Sequence, residues 1–189
     1  MQELLTNCVH RATNDVLLIA ENDMLIIANK LRDFSFGKLM EVYAEENRKS
    51  AQKLWPDEPE YRAIALAEQD FYDYLQQTFF CVTGARYMIL EQGGKYVSAL
   101  RLEPYRDGLL LTALETAPVY RNKGYATMLV RAALESVTGA KVYSHVDKRN
   151  IASLRTHARC GFAVIQDYAV YADGSVDQKC VTLCVCCAK

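Results

Sequence analysis

The stretch over residues 109–137 constrains the fold of this chain more than any other part of the sequence. It begins with an apolar run, breaks at Ala117 and Pro118, passes through a basic turn that contains Gly124, and continues as an amphipathic helix. The first amides of a helix have no partner within the helix, and the helix dipole favours negative charge there. A strand that enters a helix through such a turn therefore predicts an anion site suited to a pyrophosphate.

The composition argues against several classes of protein. The chain has 189 residues, 51% hydrophobic and 24% charged, which fits one soluble globular domain over residues 1–189 with a weakly patterned segment over 1–22. The net charge of −1 and the dispersed acidic groups argue against nucleic acid as a partner. No apolar run reaches the roughly 20 residues that span a bilayer, and the N-terminus lacks a signal-peptide pattern. We therefore expect a cytoplasmic protein without a membrane partner.

The seven cysteines do not indicate a metal site. Four of them crowd the C-terminus: Cys180, Cys184, Cys186 and Cys187. We interpret these as small apolar residues on a buried final strand, because a zinc site would need a second pair and Cys184 and Cys187 would face opposite sides of a strand. This strand could also be a sheet edge that pairs with a second copy of the chain, so a homodimer is possible.

The remaining patterns alternate between strands and helices. The predicted strands are residues 23–30, 87–90, 96–103, 109–116, 141–146, 162–171 and 176–186. The predicted helices are residues 36–54, residues 57–80, the helix that ends the opening stretch, and residues 150–160 with Gly161 as C-terminal cap. The last two strands form a hairpin around Asp173 and Gly174. This order predicts an α/β (α+β) fold: a mixed, mostly antiparallel sheet of about seven strands with helices on both faces.

Three features support a ligand site in the opening stretch, although its glycine could equally serve close packing. Pro118 ends strand pairing after Thr116 and would leave backbone groups free for a ligand. Arg121 and Lys123 place positive charge beside the helix N-terminus. A second unit, residues 150–162, follows directly after the next strand.

Two motifs then carry a resemblance to a known family. The sequence Arg121-x-x-Gly124-x-Ala126 resembles the R/Q-x-x-G-x-G/A acetyl-CoA signature of the GNAT superfamily of N-acetyltransferases. Residues 150–162 resemble that superfamily's later motif, N-x6-Y-x3-G-F, at the same spacing. The element order is similar to the GNAT fold from about residue 23 to the end. The resemblance implies a single GNAT-like domain with acetyl-CoA as co-substrate and no metal.

The resemblance also implies which residues contact the coenzyme. They are Thr116, Ala117, Pro118, Arg121, Asn122, Lys123, Gly124, Tyr125, Ala126 and Asn150. The strand end at 116–118 would bind the pantetheine arm through main-chain hydrogen bonds, where the strands at Leu109 and Lys141 splay apart. The turn amides would bind the pyrophosphate, and a side chain at Gly124 would block it. Asn150 would hydrogen-bond the pantetheine, or it would serve as a plain helix N-cap.

Catalysis in this superfamily implies a second set of residues. The acceptor amine attacks the thioester directly, and the thiolate leaves with a proton that a tyrosine usually supplies. His157 stands at the tyrosine position, where it could donate this proton or serve as a polar wall residue. His145 stands where some members have a glutamate base, on a strand face shared with Tyr143, and could equally be structural. Glu103 and Glu115 could line the acceptor side.

We therefore expect an acyltransferase that moves an acetyl group from acetyl-CoA to a primary amine of a small molecule or peptide. One alternative is a catalytically weak acyl-CoA-binding sensor, and another is a protein-interaction domain without a coenzyme site. The two motifs indicate only the acetyl donor and do not identify the acceptor. The acidic residues between positions 41 and 60 would suit a cationic acceptor or simply form a solvated face. Tyr43, Tyr72 and Tyr87 could shape the acceptor pocket.

Overall fold

An eight-stranded mixed sheet is the framework of the computed structural model, which describes residues 16–20 and 23–187. The strands are β1 Val16–Ala20, β2 Asp23–Ala28, β3 Arg86–Gln92, β4 Lys95–Tyr105, β5 Gly108–Thr116, β6 Lys141–Asp147, β7 Ala163–Gln166, β8 Ala169–Val170, β9 Val176–Asp177 and β10 Cys180–Cys186. The α-helices are α1 Phe36–Val42, α2 Ala44–Leu54, α3 Glu60–Gln77, α4 Tyr125–Glu135 and α5 Ile151–Arg159.

The strands lie in the order β1-β2-β3-β4-β5-β6-β10-β7, and only β5 and β6 are parallel. This confirms the prediction of a mixed, mostly antiparallel sheet. The short strands β8 and β9 pair with each other at the end of the predicted hairpin around Asp173 and Gly174. Most of the segment predicted as weakly patterned, residues 1–22, lies outside the described residues. Within it, β1 is a strand that the sequence pattern did not indicate.

Helices cover both faces of the sheet, as the alternation of residues along β3 shows. Met88 and Leu90 join the core that includes Leu129 of α4, and we call this side the α4 face. Tyr87 and Ile89 point the other way and join the core built with α1 and α3, and we call this side the α1–α3 face. The period-2 alternation of strand side chains therefore separates two cores.

The helix predicted over residues 36–54 is two helices, because the chain turns at Tyr43. Ser35 caps the first helix by accepting a hydrogen bond from the Lys38 amide at 3.4 Å. Tyr43 ends that helix and starts the next, and its side chain is buried against the sheet. The turn lets α2 lie along α3, which begins directly after Pro59.

The prediction that the final strand is a sheet edge is wrong. Strand β10 pairs with β6 along its whole length on one side and with β7 at Thr182 to Cys184 on the other. The middle of β10 is therefore not open to a strand from a second copy of the chain. Its cysteines are partly exposed rather than deeply buried.

Two kinds of feature, a metal-binding cluster and a membrane-spanning helix, are absent from residues 16–20 and 23–187. No cluster of three or more His, Cys, Asp or Glu side chains there is arranged to hold a metal ion. No helix in the same part of the chain has both the length and the apolar character needed to cross a bilayer.

Candidate functional site

Strands β5 and β6 separate partway along their length. They pair in parallel register only from Gly108 with Lys141 to Leu111 with Ser144, although β5 continues to Thr116. The predicted splay is therefore confirmed. It leaves a cleft between two strands in the middle of a sheet, where a ligand can meet backbone groups that would otherwise be paired.

A β-bulge interrupts β5 beside this cleft. Ala99 pairs with Glu115, whereas Arg101 pairs with Thr112, so β5 has one extra residue there. Ala113 lies in the bulge with φ of +51°, a left-handed conformation that is rare without glycine. The bulge redirects the residues that follow it, and one of them, Glu115, contacts cavities on both sides of the strand.

The first cavity has a volume of about 530 Å³ and lies between the end of β5, the turn at 121–126 and helix α5. It brings together seven of the ten residues predicted to contact a coenzyme: Thr116, Arg121, Asn122, Gly124, Tyr125, Ala126 and Asn150. Ala117, Pro118 and Lys123 are not part of its lining. Ala117 is buried, and Lys123 lies over the ring of Tyr120 at 5.3 Å.

The turn before α4 has the backbone of an anion site. Asn122 and Gly124 have left-handed φ angles of +62° and +88°. When left-handed residues alternate with others along the backbone, as they do here, successive amides point towards one concave side. Gly124 is the N-cap of α4 and supplies no side-chain cap, so the first helical amides are left for a ligand. A Cβ atom on Gly124 would meet no protein atom within 4 Å, which places open space beside it.

The side chain of Arg121, which the sequence predicted to place positive charge beside the helix N-terminus, is paired with two carboxylates. Its guanidinium lies 2.8 Å from Glu45 and 3.0 Å from Glu115, and its Nε donates to the Thr116 carbonyl at 3.1 Å. Hydrogen bonding to Glu45 raises the pKa of Arg121. The amide of Ala117 donates to Val97 at 3.0 Å. The backbone groups expected to be free at 116–117 are thus already engaged.

Helix α5 forms the opposite wall. The side-chain oxygen of Asn150 accepts from the Ser153 amide at 3.0 Å, so Asn150 is a helix N-cap that also lines the cavity. Sequence reasoning missed four polar residues of this wall: Ser153, Arg155, Thr156 and Arg159. The signal was present, because positions 152, 155, 156 and 159 recur at the three- and four-residue spacing of one helix face.

His157 lies outside the cavity, which corrects the prediction that it donates a proton. The side chain is 1% exposed, and its ring centroid lies 5.0 Å from that of Phe162 in the α4-face core. Its Nδ1 lies 2.8 Å from the Ser153 carbonyl, and burial lowers the pKa of the imidazole. The helical period turns position 157 inward.

The second cavity has a volume of about 410 Å³ and lies on the α1–α3 face between α2, α3 and the bulge. Its charged lining residues are Glu46, Asp70, Arg101 and Glu115. Tyr43 lines it as predicted, whereas Tyr72, Tyr87 and Glu103 do not. Most of the acidic residues of the early helices face solvent in ion pairs, as Glu58 and Glu60 do with Arg62 and Arg48.

His145 lies at the mouth of the splay on the α1–α3 face. It follows Ser144, the last residue of β6 that pairs with β5. Its ring is between Tyr105 and Tyr171, each with a centroid 5.4 Å away, and neither ring nitrogen has a hydrogen-bond partner in the described chain. Burial, followed by the charge of Arg106, lowers the pKa of His145 below its ordinary 6.5. The imidazole is therefore neutral near pH 7, although it lines neither cavity.

Comparison with known proteins gives one family match and several similar structures. The family model described as Acetyltransferase (GNAT) family matches residues 38–162. The ribosomal-protein-S18-alanine N-acetyltransferase of Escherichia coli is 16% identical, with 88% of this chain and 96% of that chain covered and a TM-score of 0.55. A spermidine N-acetyltransferase from Vibrio cholerae, solved with CoA and spermine, is 16% identical, with coverage of 86% and 95% and a TM-score of 0.54.

A third similar structure is the PaiA N-acetyltransferase of Thermoplasma acidophilum in complex with coenzyme A. It is 13% identical, with 86% of this chain and 98% of that chain covered and a TM-score of 0.55. At these identities the structural similarity supports the fold. A search of curated protein sequences found no significant match.

Proposed function

The chain belongs to the acetyltransferase (GNAT) family, and on that premise we propose that it transfers an acetyl group from acetyl-CoA to a primary amine by direct attack. One observation carries the proposal. The bulge residues Leu114 and Glu115 line both cavities, so a donor in the first cavity and an acceptor in the second would meet across a single segment of β5. A transfer without a covalent enzyme intermediate requires such a meeting point.

The donor half fits coenzyme A by size and by charge. A cavity of about 530 Å³ is within the range of small-molecule sites. The uncapped start of α4 and the open space at Gly124 would hold the pyrophosphate. Arg155 and Arg159, one turn apart on α5, would add positive charge for the other phosphate of the coenzyme. Asn150 would contact the pantetheine arm, which would lie in the splay.

The acceptor half is the second cavity. The thioester supplies an activated acyl carbon: the neutral amine nitrogen forms the new C–N bond, the C–S bond breaks, and the proton that the nitrogen then loses protonates the leaving thiolate. The amine must first lose a proton, and His145 is the base that we propose, because its imidazole is neutral and its nitrogens have no partner in the described chain. Glu46 and Asp70 would hold the amine-bearing end by charge.

The alternative of a catalytically weak sensor is supported by one observation. His157, which stands at the position that the family usually fills with tyrosine, is buried and lines neither cavity. A sensor would bind acetyl-CoA and release no CoA with any amine.

The test is release of free thiol from acetyl-CoA in the presence of a broad panel of primary amines. Turnover with at least one amine, above the rate of hydrolysis without acceptor, is the expected result. Binding of acetyl-CoA with no acceptor-dependent release would favour the sensor, and no binding would contradict both. A cytoplasmic location and a homodimer stay predictions, and the dimer is checked by light scattering during gel filtration.

A further inference from the structure

A line of four polar side chains crosses the α1–α3 face of the sheet, and we call it the polar row. Tyr87 of β3 pairs with Arg101 of β4, and Arg101 pairs with Thr112 of β5. Residues that pair across antiparallel strands point to the same face. His145 of β6 continues the line, since it is the first residue beyond the last pair that β6 forms with β5.

Three of the four members of the polar row have a buried polar atom without a partner. These atoms are Arg101 Nε, the Thr112 hydroxyl and both ring nitrogens of His145, whereas the Tyr87 hydroxyl hydrogen-bonds to that of Tyr43. In the described part of the chain, only one other buried side-chain nitrogen or oxygen, on His157, lacks a partner. An unpartnered buried polar group costs free energy of folding, and native structures contain few of them. The alignment of these atoms in one row, of which Arg101 lines the second cavity, therefore indicates a bound group that completes them.

Arg101 identifies the charge of that group. Its guanidinium carbon lies 5.9, 5.2 and 5.5 Å from the ring centroids of Phe71, Tyr74 and Phe79. These rings stabilise the cation through their faces and hold it in place. Among the described residues, Arg101 forms no ion pair. Glu115, which lines the same cavity, is paired with Arg121 instead.

Hydroxyl groups flank Arg101 on both sides. Thr112 lies on the neighbouring strand β5 and Tyr87 on the neighbouring strand β3. The adjacent hydroxyl of Tyr43 gives its proton to the Ala113 carbonyl. A fixed guanidinium beside the unpartnered Thr112 hydroxyl matches the oxygens of a carboxylate or phosphate, since a guanidinium presents two parallel N–H groups to such a pair.

We infer that Arg101, with the Thr112 hydroxyl beside it, binds an oxyanion group that the acceptor carries in addition to its amine. This inference rests on the proposed function, because it concerns the acceptor of the same site. The cavity presents both signs of charge, with Asp70 available to the ammonium end and Glu46, which pairs with Lys49 at 3.4 Å, also in the lining. The acceptor class is therefore an amine that also bears a carboxylate or a phosphate, such as an amino acid, rather than a simple polyamine.

Matched acceptor pairs test the inference. Lysine is compared with cadaverine, phenylalanine with phenethylamine, and O-phosphoethanolamine with ethanolamine, so each pair differs by one oxyanion group. Binding to the CoA-loaded protein is measured by calorimetry, and turnover is measured separately by thiol release. We expect the anionic member of at least one pair to bind about tenfold more tightly or better. A preference within either of the first two pairs indicates that the site binds a carboxylate, and a preference within the third pair indicates a phosphate.

Substitutions then place the preference at the polar row. Arg101→Met keeps a long side chain among the aromatic rings and should abolish the preference, while Arg101→Lys should restore part of it. Arg62→Met is the matched control, because Arg62 is exposed and pairs with Glu58 away from both cavities. Thr112→Val keeps the shape of the side chain and removes an unpartnered hydroxyl. It should raise the melting temperature and weaken the anionic acceptor, which a purely structural threonine would not do.

The outcomes separate this inference from the proposed function. A preference for the anionic member in binding, without turnover, supports the polar row as an oxyanion site and contradicts acetyl transfer. Turnover with equal affinity for both members of every pair leaves the transfer intact and overturns the oxyanion site. A preference that survives both Arg101→Met and Thr112→Val also overturns it.

Discussion

The hydroxyl of Tyr43 donates a hydrogen bond of 2.6 Å to the carbonyl of Ala113. Tyr43 is the residue at which α1 ends and α2 begins, and Ala113 is the left-handed residue of the β5 bulge. One hydrogen bond thus connects the break between two helices to the backbone irregularity between two cavities.

Removing this hydroxyl should affect both stability and turnover. We expect Tyr43→Phe to lower the free energy of unfolding by about 1 kcal/mol, because the Ala113 carbonyl loses its partner. Turnover should fall as well, since the bulge that presents Leu114 and Glu115 is held less firmly. Urea unfolding and thiol release measure the two effects. Tyr61→Phe is the control, because Tyr61 is 76% exposed, and a Tyr43→Phe enzyme that matches this control would show that the bulge needs no such anchor.

The coenzyme turn should be sensitive to bulk and charge at one glycine. We expect Gly124→Glu to abolish stabilisation by acetyl-CoA, which for the unchanged protein is roughly 2.7 kcal/mol at 100 times the Kd. Gly174→Glu is the matched control, since Gly174 has a similar φ of +83° and similar open space but lies at the hairpin tip. Thermal unfolding with and without acetyl-CoA compares them. Equal stabilisation of both variants would contradict a pyrophosphate site at the turn.

The proposed base makes the reaction dependent on pH. A base acts in its neutral form, so kcat/KM should fall as pH decreases through the lowered pKa of His145, below the ordinary 6.5. His145→Asn should lower kcat roughly 10²- to 10⁴-fold and remove this acid limb from the profile. A variant that keeps both the rate and the acid limb would exclude His145 as the base.

His157 should influence stability and leave catalysis alone. Burial lowers its pKa, so the folded protein keeps it neutral while the unfolded chain binds a proton once pH falls below about 6.5. The stability that the neutral ring contributes is present above that pH and is lost on acidification. We expect His157→Leu to reduce the loss of unfolding free energy between pH 8 and pH 5, measured in urea. A large fall in kcat of this variant at pH 8 would instead indicate that His157 takes part in catalysis.

The parts of the fold that depend on local pattern could be predicted from the sequence. Strand alternation indicated the meander of β3, β4 and β5, and the glycine-bearing turn indicated the start of α4. The break at Tyr43 could not be predicted, because its partner Ala113 is 70 residues away. The place of β10 between β6 and β7 likewise depends on which strands pair, and an apolar run does not specify its neighbours.

The same distinction between local pattern and long-range contact applies to the candidate site. The two motifs located most of the donor cavity, because both depend on short spacings that fix a turn or a helix face. The ion pairs of Arg121 could not be predicted, since its carboxylate partner Glu45 comes from a distant helix. The inward position of His157 could have been read from the helical period, which separates it from Ala152 and Thr156. The polar row appears only when four strands are placed in register.

Strand β10 follows β7 in the chain and yet lies between β7 and β6. During folding, β7 can therefore join the sheet only together with β10 or after it. The pairing of β10 with β6 joins residues 141–147 to residues 180–186, and contacts so distant in sequence form slowly. The order of assembly thus differs from the order of the chain, because β7 cannot take its place in the sheet before β10 does.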